Sequence, residues 1–267
     1  MVSPQILHLL TQEYTLVMVT DSHDIEVLKD VRRRTLLPAY QGHAKITDEE
    51  SFLYNQDDEQ SFIYLLRHNP TGEYVGTIRV FFVNEKTPIK RIPLQMYGNV
   101  KDIEHLVSDY PVCEVSRLAL ASDLPSYGDL SKLRLRTYLT IGLMSTIGIN
   151  IFLYHSKNIF SIMEPALHRI LKRQGINFHP IGPAVEYYGM RIPHMIKREE
   201  LITESKDILG EITLFYLREL CQRPEKFWQF IEEHPYLDRS DIHLERICEL
   251  FDKYGEKIDI PLLLKHT

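Results

Sequence analysis

The chain has 267 residues, of which 44% are apolar and 25% charged, so it can bury a sizeable core and is neither a disordered chain nor a small disulfide-stapled scaffold. Its formal charge of -6 argues against a nucleic-acid binder, and its three cysteines, without CxxC or paired spacing, fit a reducing, cytoplasmic setting. Residues 1–12 lack the basic and small-residue features of a secretory signal, and the longest apolar run, Ile141 to Tyr154, is broken by Ser145, Thr146, Gly148 and Asn150, so no integral membrane segment is expected.

In chain order, Asp24 to Leu36 carries Ile25, Leu28, Val31 and Thr35 at helical spacing, capped by Ser22 or Asp24 and stopped by Pro38. Residues 37–58 are polar and turn-rich, and a mobile lid is expected there. Phe62 to His68 and Tyr74 to Val83 are rich in β-branched and aromatic residues around Asn69-Pro70-Thr71-Gly72, which predicts a β-hairpin. Val112 to Leu120 is a third strand. Ser131 to about Ile149 is a long helix, Phe160 to Met163 a short buried strand, and Pro165 to Gln174 a helix ended by Gly175. Residues 176–192 suggest two further extended segments. From Lys197 onward only helices are expected, at about 205–221, 224–234 and 240–254. The expected architecture is mixed α/β (α+β): a central mixed sheet flanked by helices over 1–196, with a C-terminal helical appendage, 197–267, packed on it.

The segment Cys113-Glu114-Val115-Ser116-Arg117-Leu118-Ala119-Leu120 places an acid, a hydroxyl and an arginine in an otherwise apolar strand. Burying an unpaired charge is costly, so these residues need partners or a purpose. The residues alone leave a structural Glu/Arg pair and a functional site equally open. Alternation puts Glu114 and Ser116 on one face and Arg117 on the other, unless a bulge turns one of them.

Glu114-Val115-Ser116-Arg117-Leu118-Ala119 resembles the Glu-x-Ser-Arg strand motif of the acyl-homoserine-lactone (autoinducer) synthases, the long-chain N-acyl amino acid synthases and the acyltransferases of the PEP-CTERM/exosortase system. A second block runs from Met163-Glu164-Pro165-Ala166-Leu167 through Leu171-Lys172-Arg173-Gln174-Gly175-Ile176 to Pro180-Ile181-Gly182-Pro183-Ala184-Val185-Glu186-Tyr187-Tyr188-Gly189. It resembles the N-acyl amino acid synthase group more than the lactone synthases. Arg32, Asp58 and the Gly76-Thr77-Ile78-Arg79 run also match that pattern. Where the lactone synthases carry a tryptophan and a Glu-x-Asp pair, this chain has Gln41-Gly42-His43 and Leu53-Tyr54-Asn55. The glycine loop that presents N–H groups to the pyrophosphate of coenzyme A is missing between Ala121 and Leu139.

The resemblance implies a GNAT-like fold and transfer of a fatty acyl group from a phosphopantetheine thioester, on acyl carrier protein or coenzyme A, to the amine of an amino acid or similar small molecule. No permanently bound cofactor is implied. Glu114 is the candidate proton acceptor, with Ser116 placing a water, and a backbone N–H of this strand is the candidate oxyanion donor. Arg32, Asp58, Arg79 and Arg117 are candidates for binding the acceptor's carboxylate or shaping its pocket, against a structural ion-pair network. Lys132, Arg134, Arg136, Lys172 and Arg173 are candidates for gripping an acidic carrier protein, although solvated helix faces carry such charges too. Ile141, Met144, Phe160 and Met163 are candidates for lining an acyl tunnel, against plain core. The 12 histidines are scattered without metal-ligand spacing. Two alternatives stand beside this reading: a lactone-type signal synthase using S-adenosylmethionine, and a non-catalytic acyl- or carrier-protein-binding module.

Overall fold

The computed structural model describes residues 4–41, 46–204, 210–213, 215–216, 225–234 and 236–237. Helix α1 (Pro4–His8) runs through a π turn (Leu9–Glu13) into β1 (Tyr14–Met18). The segments α2 (Ser22–Gln41), α3 (Glu49–Leu53) and α4 (Gln56–Glu59) lead to the hairpin β2 (Ser61–His68) and β3 (Tyr74–Val83). Short helices α5 (Pro93–Tyr97) and α6 (Ile103–Val107) precede β4 (Val112–Leu120), followed by α7 (Lys132–Tyr154), β5 (Asn158–Met163) and α8 (Pro165–Arg173). Strands β6 (His179–Pro180), β7 (Val185–Glu186) and β8 (Met190–Lys197) then give way to α9 (Arg198–Glu204) and α10 (Glu225–Glu233). Among the described residues no helix is long and apolar enough to cross a membrane.

The sheet order is β1-β2-β3-β4-β5-β8-β6, with β7 also paired to β8. The β4–β5 pair is parallel, and the other described pairs are antiparallel. Strand alternation sends Phe62, Tyr64 and Leu66 into the core shared with α7, and Ile63 and Leu65 into a separate cluster with Leu28 and Val31 of α2. Helices α7 and α2 therefore cover opposite faces. A further cluster, with Phe81, Val112 and Phe160, packs under α5 and α6.

The hairpin, β4 and α8 lie where the sequence predicts them. Helix α2 does not stop at Pro38: it continues to Gln41. A proline in the last turn forfeits one backbone hydrogen bond, and the burial of Leu36 and Leu37 beside Phe52 and Leu53 retains the helical path. The expected irregular segment at 37–58 is also corrected. Three of its polar residues cap helices: Asp48 accepts from the Ser51 N–H, and Asn55 and Asp58 form a reciprocal capping box around α4. Residues 42–45 lie outside the described part. Of the three expected C-terminal helices, residues 210–213, 215–216 and α10 are helical, and the one at 240–254 lies outside the described residues. The structure adds β1, α5 and α6.

Candidate active site

Strands β4 and β5 pair only from Val112–Asn158 to Glu114–Phe160, and beyond that pair they part. The Ser161 hydroxyl spans the start of the split, donating to the Val115 carbonyl at 2.9 Å. A cavity of about 320 Å³ opens there, lined by Glu114 to Leu118 of β4 and Ser161 to Met163 of β5. One half is apolar, with Met144 of α7 and Leu167 and Leu171 of α8. The other half lies on the α2 and α5 face and holds Glu114, Arg79, Arg117 and a set of tyrosines.

A bulge makes this second half. The β3–β4 register passes from Thr77–Ala119 to Arg79–Ser116, so β4 carries an extra residue, and Arg117 sits at φ 52°. Alternation alone would have turned Arg117 to the α7 face. Instead it lines the cavity with Glu114 and Ser116, donates to the Phe52 carbonyl and lies 5.5 Å from the Phe52 ring centre.

Glu114 is 2% exposed. Its Oε2 accepts from the Leu94 N–H at 2.7 Å, and among the described residues no cation lies within ion-pair distance of it. Burial pushes its carboxyl up to about 7, against the opposing pull of the Leu94 N–H and Arg79.

Behind Glu114 stands a buried charge cluster. Asp58 Oδ1 accepts from Arg32 at 2.9 Å and from Arg79 at 3.3 Å, while Oδ2 accepts from the Asn55 N–H at 3.0 Å. Burial works to raise the Asp58 carboxyl, but Arg32, Arg79 and Arg117 outweigh it and hold it well below the usual carboxylate range. Arg79 Nε also donates to the Ser116 hydroxyl at 2.9 Å. Arg117 has no carboxylate at ion-pair distance among the described residues. Burial first, and then the positive charge of Arg32, lower its guanidinium to about 10. Arg32 and Arg79 thus share the Asp58 carboxylate, and Arg117 adds a third guanidinium beside them outside ion-pair distance of it.

Of the acceptor-side candidates, Arg79 and Arg117 line the cavity, whereas Arg32 and Asp58 sit behind the wall. Of the acyl-side candidates, Met144 and Met163 line it, and Ile141 and Phe160 are fully buried elsewhere in the core. Lys132 and Arg134 are exposed on the first turn of α7, and Lys172 and Arg173 on the last turn of α8. Arg136 is half-buried and donates to the Ala121 carbonyl at 2.5 Å, bracing the end of β4. Sequence reasoning missed the lining residues Tyr40, Phe52, Tyr97, Tyr187, Tyr188 and Arg191. Only the Tyr187-Tyr188-Gly189 run carried a local signal, as paired aromatics before a turn glycine.

Among solved structures, the chain is similar to FeeM, an N-acyl amino acid synthase from uncultured soil microbes, with a TM-score of 0.51 at 12% identity over 72% of this chain and 94% of that one. The fold is GNAT-like. Weaker likenesses are TofI, with a TM-score of 0.49 at 14% identity over 74% and 96%, and the AHL synthase LasI, with 0.42 at 12% over 68% and 88%. No protein-family model matches the sequence, and neither does any curated protein. The GNAT-like sheet, with its splayed β4 and β5, accounts for the cavity passing between strands rather than lying on the sheet.

Proposed function

We propose that this chain is an N-acyltransferase that moves a fatty acyl group from a phosphopantetheine thioester onto the amine of an amino acid or a similar carboxylate-bearing small molecule. The observation that carries this reading is the position of Glu114 at the β4–β5 split, where an apolar slot on one side meets a cationic pocket on the other. The acyl chain and pantetheine lie against Met144, Met163, Leu167 and Leu171, and the acceptor's carboxylate lies against Arg117 and Arg79. The similarity to an N-acyl amino acid synthase supports the same assignment.

The chemistry follows from the charges. An ammonium must lose a proton before its nitrogen can attack the thioester carbonyl, and a carboxylate held near 7 accepts that proton at neutral pH. Ser116, fixed by Arg79, positions the amine or a bridging water. As the C–N bond forms, the carbonyl oxygen gains negative charge, and in this reading a main-chain N–H of β4 beyond the last β5 pair donates to it. Collapse of the intermediate breaks the C–S bond, the attacking nitrogen sheds its second proton to the departing thiolate as the amide forms, and the proton taken by Glu114 passes to solvent.

The donor is carried on an acyl carrier protein in this reading, since no glycine loop for pyrophosphate follows β4. Incubation with acyl carrier protein thioesters, acyl-coenzyme A, S-adenosylmethionine and a mixture of amino acids, with products identified by mass spectrometry, tests it. An acyl amino acid formed by the wild type and lost in Glu114→Gln is the expected result. An acyl lactone made from S-adenosylmethionine, or donor binding without turnover, would replace it with one of the two alternatives.

A further inference from the structure

The polar half of the cavity has a roof that the acyl-transfer chemistry does not use. After β7 the chain turns through Tyr187, Tyr188 and Gly189, with Tyr188 at φ 50° and Gly189 at φ 97°, the second of which a glycine adopts without strain. The turn is closed by the Tyr187 N–H donating to the Gly189 carbonyl at 3.0 Å. It leaves β8, the neighbour of β5, and crosses the split to elements on the other side. There Tyr187 stacks on Tyr97 of α5 at 4.3 Å, and Tyr188 stacks on Tyr40 of α2 at 4.8 Å. The two rings meet each other at 5.0 Å.

Arg191 holds this turn in place. Its Nε donates to the Tyr187 carbonyl at 2.8 Å, and its Nη2 pairs with Glu164, at the start of α8, at 3.0 Å. Its guanidinium also lies 5.1 Å from the centre of the Tyr40 ring. Each tyrosine has few torsions, and each ring is wedged by a neighbour, so the roof presents a fixed height above Glu114 and Arg117 rather than a yielding surface.

We propose that the Tyr187–Tyr188 turn sets the size of the amine that this site acylates, with Arg191 as its positioning residue. The inference rests on the acyltransferase reading. A wall of locked rings excludes by steric conflict, so a bulky acceptor pays for displacing a ring while a small one pays nothing. Removing one ring therefore changes the ratio between acceptors more than the rate with the smallest.

The test is a panel of amino acids from glycine to tryptophan, with kcat/KM measured for each at a fixed acyl carrier protein thioester. Tyr188→Ala is expected to raise the ratio of the bulkiest to the smallest acceptor by about tenfold or more, and Tyr188→Phe, which keeps the ring, to retain the wild-type ratio. Arg191→Lys, which cannot hold both carbonyl and carboxylate in one plane, is expected to raise the acceptor KM and leave the donor KM unchanged. A purely structural role would move both along with the melting temperature. An unchanged ratio in Tyr188→Ala, with transfer intact, overturns the size inference alone. A wild type that acylates no member of the panel overturns it together with the acyltransferase reading.

Discussion

Glu114 is held between burial, which favours its neutral form, and the Leu94 N–H and Arg79, which favour the charged one. A base must be ionised to work, so kcat/KM is expected to be low at pH 5, to rise through about 7 and to level off above it. Glu114→Gln keeps the shape and removes the acceptor, and it is expected to cost 10²–10⁴ in kcat while leaving donor affinity intact. A flat pH profile would remove Glu114 from the mechanism. Asp58 makes the opposite case, because its charge is needed by the fold. Asp58→Ala leaves Arg32, with 0% exposure, and Arg79 without their shared carboxylate. The expected loss is about 3–5 kcal/mol in urea unfolding, and a loss below about 1 kcal/mol would contradict the structural role given to it. Because the folded-state value of Asp58 is depressed, its contribution is complete above about pH 4 and fades as the pH falls further.

At the scale of elements, periodicity made the hairpin, β4 and α8 legible, since each is bounded by turn chemistry and has an alternating or helical apolar pattern. Glu114, Ser116 and Arg117 stood out for a local reason, as polar residues in an apolar strand. The bulge that brings Arg117 beside the other two depends on pairing with β3, and no local pattern in β4 encodes it. The roof tyrosines were obscured for the same reason: Tyr40, Tyr97 and Tyr187 are far apart in sequence and meet only when α2, α5 and the β7–β8 turn converge. The packing of α8 on β8 makes a separate prediction. His194 is 1% exposed and faces His168 at 4.4 Å between ring centres. Burial, and to a lesser degree His168, lower it to about 4, while its bond to the Ile192 carbonyl opposes them. The fold therefore holds the neutral ring, whose stability is complete above the unfolded value of about 6.5 and is lost as the pH falls toward 4, by on the order of 3 kcal/mol. His194→Gln is expected to flatten the melting temperature between pH 7 and 4, and an unchanged slope would place the acid sensitivity elsewhere.

Across the whole molecule, the described part of the C-terminal region is built into the core of the sheet. Ile212, Tyr216, Trp228, Ile231, Tyr236 and Leu237 belong to the same buried cluster as α7 and the sheet. The Tyr216 hydroxyl donates to the Leu10 carbonyl at 3.0 Å, and the Tyr236 hydroxyl to that of Glu59 at 3.2 Å, tying the region to the π turn and to α4. Thr213 packs so close to α7 that a Cβ on Gly148 would lie 2.6 Å from its methyl. We infer that the described residues beyond 204 form one cooperative unit with the rest rather than an independently folding part. Each large apolar side chain in that cluster stabilises by roughly 1.5–3 kcal/mol, so the group together rivals the roughly 5–15 kcal/mol that holds a typical domain. Truncation after Glu204 is therefore expected to abolish cooperative unfolding. Gly148→Ala provides the milder test, since it forces Thr213 away from α7 at a cost of about 1–3 kcal/mol. Adding Thr213→Ala removes the clashing methyl and hydroxyl and is expected to restore most of that loss. If the double variant is no more stable than Gly148→Ala, the contact does not join the two regions, and the C-terminal helices unfold on their own.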